Sequence, residues 1–219
     1  MQTILNKKLV DPLKQPLFLG EDLGVPRLDK IKYQVFYDLY KKQREFFWSP
    51  EEIELKKDRN DFKDDDLMSD NDRFIFTSNL KYQTMLDGVI CRGVPTISKY
   101  VSNSELFMSL GAWEFFEGIH TYSYSYIIQN VYPNPSEVFD SIYTDKEIMK
   151  RADTAIRDYD NLMGMKLSKD LNGLKKQIYM TLISVNILEA VRFYVSFVCA
   201  FAFSGKQEDD WQCGYRKTD

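Results

Sequence analysis

Glu117, His120 and Tyr124 lie in "FFEGIHTYSYSYII", Phe115 to Ile128, at spacings that one helical face can hold. A carboxylate and an imidazole at i, i+3 can reach the same metal ion. His120 is the only histidine in the sequence. At about 100° per residue, with Glu117 at zero, His120 falls at about 300°, Tyr124 at about 340°, Tyr122 at about 140° and Tyr126 at about 180°. The three tyrosines are therefore not equivalent. Tyr124 shares the face of Glu117 and His120, and the other two point away. This shared face requires an unbroken helix through Gly118, a residue that costs about 1 kcal/mol relative to Ala.

A Glu-x-x-His pair also occurs in dinuclear carboxylate bundles, where two such pairs and two further carboxylates point inward. On its own the motif is weak, since a lone histidine is more often an ordinary core or surface residue than a ligand. Two more carboxylates bear on the choice. Glu189 sits in an apolar segment with Leu182, Val185, Phe193 and Phe197 near its face. A carboxylate there is costly unless it is paired or bound to metal. An ion pair with Arg192 at i+3 is the alternative. Asp87 shares a face with Leu80 and Gln83, and its alternative is a polar residue close to a helix end.

The elements that must position these groups read as helices. Helical spacing runs from Lys30 to Trp48, and Ser49 then resembles an N-cap, with Pro50 at the first helical position and Glu51 and Glu52 in the first turn. The acidic run Asp58 to Asp72 reads as a solvated loop. A helix from about Arg73 to Gly93, a connector over "PTISKYVSN", and a long helix from Ser104 to about Val131 follow. A further helix from Ser136 to about Met165 and a last one from about Leu174 to Phe203 complete the series. Neither a β-hairpin signal nor an internal repeat is present. The fold class is all-α, with a bundle as the expected architecture.

The 219 residues suffice for one sizeable core. A net charge of −4 gives no argument for a nucleic-acid surface. Cys91, Cys199 and Cys213 are widely spaced, which fits a reducing compartment and no disulfide framework. No signal-peptide h-region opens the sequence. Ile178 to Phe203 could pass for a membrane span, but Glu189 and Arg192 near its middle would each cost about 2.5–3.5 kcal/mol at a bilayer centre. The expectation is a buried helix in a soluble protein.

Several segments, in order, carry a resemblance: "QREFFWSPEEIEL", "IFTSNLKYQTMLDGVICRG", "WEFFEGIHTYSYSYIIQN", "PSEVFDSIYTDKEIMKRA" and "SVNILEAVRFYVSFVCAFAF". Together they resemble the small (beta) subunit of class I ribonucleotide reductase, of the bacterial and phage class Ia type. The resemblance implies a ferritin-like helical bundle holding a di-iron centre, with manganese as the other metal open. It implies that Asp87, Glu117, His120 and Glu189 are metal ligands and that Tyr124 is the radical tyrosine. It also implies that Trp48 lies on the electron-transfer path and that Phe193 and Phe197 shield the radical. The implied partners are the large (alpha) subunit, which reduces the ribonucleotide, and a second copy in a homodimer. Neither nucleic acid nor membrane is expected as a partner, and the implied location is the bacterial or infected-host cytoplasm.

The pattern breaks after about Phe203. Residues 204–219, the polar stretch "SGKQEDDWQCGYRKTD", match nothing in the resemblance. The second Glu-x-x-His pair of the family is absent from this sequence, so four of the six implied ligands are present. The domain reading is therefore residues 1–203 as the N-terminal part of the small-subunit domain and residues 204–219 as an unmatched tail. The alternative is a truncated or split-gene product, inactive alone, that binds a complementary C-terminal fragment or a full-length small subunit.

Overall fold

A computed structural model describes residues 3–166 and 170–204. These residues are all-α, as expected, and among them the one β-type pairing is an isolated bridge between Phe18 and Val101. The helices are α1 (Gln34–Glu45), α2 (Lys56–Asp61), α3 (Asp70–Ser98), α4 (Ser104–Val131), α5 (Pro135–Thr144), α6 (Lys146–Gly164), α7 (Leu171–Ile187) and α8 (Phe193–Ser204). A π-helical segment, Leu188–Arg192, joins α7 to α8. The chain divides into two compact units, Met1–Trp48 with Ile90–Gly118 and Ser49–Val89 with Ile119–Asp219.

In the first unit an extended arm is tied down by backbone and side-chain bonds. Leu19 N donates to Tyr100 O at 2.9 Å and Ser102 N to Leu17 O at 2.9 Å. Glu105, 2% exposed, anchors the start of α1, accepting from Lys32 N at 2.7 Å and Tyr33 N at 3.3 Å. A carboxylate at a helix N-terminus meets donors that have no partner within the helix. Asn103 rather than Ser104 caps α4, its side chain accepting from Leu106 N at 2.9 Å.

In the second unit Met68, Phe76, Leu80, Ile128, Val131, Val138 and Phe203 form a core cluster, with Tyr124 and Tyr132 packed against it. α6 lies along α7, and buried Asp158 ties them: its carbonyl accepts from Gln177 Nε2 and Thr181 Oγ1, each at 3.1 Å, and its carboxylate accepts from Ser184.

Three boundaries differ from the sequence reading. α3 does not stop near Gly93 but continues through Pro95 to Ser98. Val94 and Ile97 are both 0% exposed. Burying them, at about 1.5–3 kcal/mol each, offsets an internal proline that costs about 3 kcal/mol. The expected helix from Ser136 to Met165 is two helices. Asp145 breaks it and caps α6, accepting from Glu147 N and Ile148 N. The acidic run is not wholly a solvated loop, since α2 occupies its start with Asp58 buried, and burial pushes that carboxyl up.

The last long helix departs most. Leu171–Phe203 is long and apolar enough to span a membrane, yet only 22% of its most apolar 18-residue window is buried. One stripe is buried, not the whole helix. Buried positions run Thr181, Val185, Leu188, then Phe193 and Ser196. The five-residue step from 188 to 193 is the π segment, which inserts a residue and rotates everything after it. Phe193 is therefore buried at 5% exposure, while Phe197 is 43% exposed.

Candidate metal centre

α4 is unbroken across Gly118, so Glu117, His120 and Tyr124 occupy successive turns of one helix. A carboxylate oxygen of Asp87 on α3, one of Glu117 and a ring nitrogen of His120 all lie within 4.8 Å of one another. Asp87 and Glu117 are buried at 2% and 4% exposure, and His120 is half-buried. Asp87 Oδ2 stands 3.8 Å from His120 Nδ1. Two carboxylates brought this close in a buried setting repel each other unless a cation or a proton compensates. Oxygen donors with one imidazole suit iron or manganese. The residues fit a metal of that kind.

Trp113 escaped the sequence reading. Its Nε1 donates to Glu117 Oε1 at 2.7 Å, one turn earlier on α4. An i, i+4 spacing of an indole donor and a carboxylate was available as the signal. Were Glu117 a metal ligand, such a donor would orient it.

The tyrosines separate as the helical wheel predicts. Tyr124 packs against the core cluster of the second unit. Tyr122 is 47% exposed and donates to Glu51, and Tyr126 donates to Ile53 O at 3.3 Å. Glu189 lies in the π segment and is half-buried, outside the three-residue group. Its i+3 neighbour Arg192 donates to Arg151 O at 2.6 Å. Trp48 is half-buried immediately before the turn Pro50–Glu52. Cys213 and the tail from residue 205 lie outside the described residues.

The family profile "Ribonucleotide reductase, small chain" matches residues 27–208. The chain belongs to the ribonucleotide reductase small chain family. It is 43% identical to the ribonucleoside-diphosphate reductase subunit beta of Buchnera aphidicola from Acyrthosiphon pisum, over 94% of this chain and 58% of that protein. It is 37% identical to the beta subunit of Enterobacteria phage T4, over 95% of this chain and 60% of that one. The chain thus spans somewhat under two thirds of the length of these relatives. Among solved structures, the ribonucleotide reductase R2 subunit of Clostridium botulinum superposes with TM-score 0.81 at 24% identity, covering 94% of this chain and 62% of that one. Dimanganese(II)-NrdF of Streptococcus sanguinis gives TM-score 0.66 at 22% identity, over 79% of this chain and 56% of that one. These likenesses carry the fold, which is the ferritin-like helical type of the small chain family.

Proposed function

We propose that this chain serves as the radical-generating small subunit of a ribonucleoside-diphosphate reductase, working with a large subunit that binds and reduces the nucleotide. The observation that carries the reading is the convergence of Asp87, Glu117 and His120, with Tyr124 one turn further along the same helix. In this reading Asp87, Glu117 and His120 hold one metal and Glu189 contributes to a second, with iron as the proposed metal and manganese as its competitor. When bound, the metal pair supplies the oxidising equivalent. Tyr124 gives up one electron and its phenolic proton and becomes a neutral phenoxyl. Tyr124 is half-buried against apolar side chains, the kind of surround such a radical requires to be kept from water and reductants. Phe193, buried on the last long helix, is the residue proposed to contribute to that apolar surround. Trp48 is the proposed electron relay. A homodimer and a cytoplasmic location belong to the same reading.

The test begins with anaerobic titration of the chain with ferrous iron and with manganous ion. Binding should weaken at least tenfold in Glu117→Ala and in His120→Ala. Binding unchanged in both variants rejects the site. A segment bearing a second Glu-x-x-His pair is then added, followed by oxygen, and a phenoxyl signal is sought by electron paramagnetic resonance. Persistence of that signal in Tyr124→Phe rejects the assignment of the radical residue.

A further inference from the structure

The turn that follows Trp48 is bonded more densely than an exposed connector requires. Ser49 N donates to Glu52 Oε1 at 3.2 Å, and Glu52 N donates to Ser49 O at 3.1 Å. Ser49 Oγ donates to the Glu51 carboxylate, and Ile53 N donates to Pro50 O at 3.2 Å. Pro50 is buried and its ring fixes one backbone dihedral. The turn is therefore internally rigid.

Two phenols then fasten it to α4. Tyr122 Oη donates to Glu51 Oε1, and Tyr126 Oη donates to Ile53 O at 3.3 Å. The two tyrosines stand at i, i+4 with ring centroids 6.4 Å apart. Both lie on the side of α4 that the helical wheel sets away from Glu117 and His120. Their alternation with Tyr124 thus has a physical use: one face of the helix carries the metal and radical residues, and the other grips a turn. Hydrogen bonds to an ionised acceptor are the stronger kind. Donation from Ser49 first, and from Tyr122 second, holds the Glu51 carboxyl below its ordinary range.

We propose that Tyr122 and Glu51 are positioning residues for Trp48, holding the Ser49–Ile53 turn against α4 so that the indole one residue earlier keeps a fixed place. The proposal rests on the reading of Trp48 as electron relay. A relay works only at a set distance and orientation, and a displacement of about 1 Å is enough to slow a reaction by about 100-fold where geometry matters.

The experiment labels the full chain with 5-fluorotryptophan and records its fluorine NMR spectrum without metal. The Trp48 resonance is assigned by its loss in Trp48→Phe. In Tyr122→Phe and in Glu51→Ala that resonance should shift and broaden, while the Trp113 resonance stays in place. Glu51→Gln, which keeps an acceptor oxygen, should restore part of the original line. Glu54→Gln, an exposed carboxylate on the same stretch, is the control and should change nothing. An unmoved Trp48 resonance in both Tyr122→Phe and Glu51→Ala overturns the proposal. So does an equal disturbance of Trp48 and Trp113, which would mean general loosening. This readout needs neither metal nor radical, so a failure of the metal reading leaves it intact. Conversely, a Trp48 line that moves as stated, with electron delivery unaffected by Trp48→Phe in the completed assembly, keeps the clamp and removes the relay.

Discussion

Trp113 donates its indole N–H to Glu117 Oε1 at 2.7 Å, so the buried carboxylate of the Glu-x-x-His pair is held from within its own helix. The bond uses up one lone pair of Oε1 and directs the rest of the carboxylate elsewhere. Groups that orient a metal ligand in this way are typically worth about 10–100-fold in affinity. Trp113→Phe should weaken ferrous or manganous binding by about that range with little loss of helix content. Competition against a fluorescent chelator measures it. Affinity equal to that of the unmutated chain would show that Trp113 only fills space.

The three tyrosines of α4 should behave differently on oxidation. In an assembly completed by a segment with the second Glu-x-x-His pair, Tyr124→Phe should abolish the phenoxyl signal and leave metal binding unchanged. Tyr126→Phe should retain the signal, because its phenol is committed to Ile53 O on the far side of the helix. Tyr122→Phe should also retain the signal, even though it loosens the turn after Trp48. Loss of the radical in Tyr122→Phe with retention in Tyr124→Phe would reverse the assignment.

The π segment makes a prediction about packing. A uniform helix from Leu174 to Phe203 would bury Phe193 and Phe197 alike, since both lie near the face of Glu189. With the extra residue in Leu188–Arg192, Phe193 is 5% exposed and Phe197 43% exposed. Phe193→Ala should cost about 3–5 kcal/mol of stability. Phe197→Ala should cost less than about 1 kcal/mol, as near-surface changes do. Urea unfolding of both variants decides it, and equal losses would restore the uniform helix.

Why the sequence revealed some of this and not the rest follows from what each residue responds to. α4 was legible because its start, its apolar content and the fixed angle between Glu117, His120 and Tyr124 are all local. The convergence of Asp87 with that pair is not local, and only the resemblance of several ordered segments pointed to it. Pro95 misled because its cost is local while the compensation, burial of Val94 and Ile97, is tertiary. Asp145 was legible in principle as a cap, yet an apolar pattern on both sides of it reads as one helix. The π segment leaves no composition signal at all. It is set by which residues must face the core before and after it, and a wheel with constant rotation hides that shift. The grip of Tyr122 on Glu51 joins residues 71 positions apart, and an exposed tyrosine and an exposed glutamate announce nothing in a sequence.

Tyr132 directly follows the last residue of α4 and packs against the core cluster. Its phenol shares a hydrogen bond of 2.6 Å with Thr77 Oγ1, and its ring centroid lies 4.7 Å from that of Phe62. Burial, only partly opposed by Thr77, pushes the phenol from 10.0 up to about 12. In the unfolded chain the phenol ionises near its ordinary value. In the folded chain it stays neutral until higher pH. A raised folded value means that the contribution to stability is complete below pH of about 10 and is lost as pH rises from about 10 to about 12. The shift corresponds to a contribution on the order of 2–3 kcal/mol. Denaturation midpoints taken at rising pH should therefore fall across that window. Tyr132→Phe should flatten part of the fall, because the phenylalanine has no proton to lose. Absorbance near the phenolate band should show a late-ionising tyrosine in the parent chain that is missing from the variant. An identical loss of stability in parent and variant between those pH values would mean that Tyr132 is not the group held neutral by the fold.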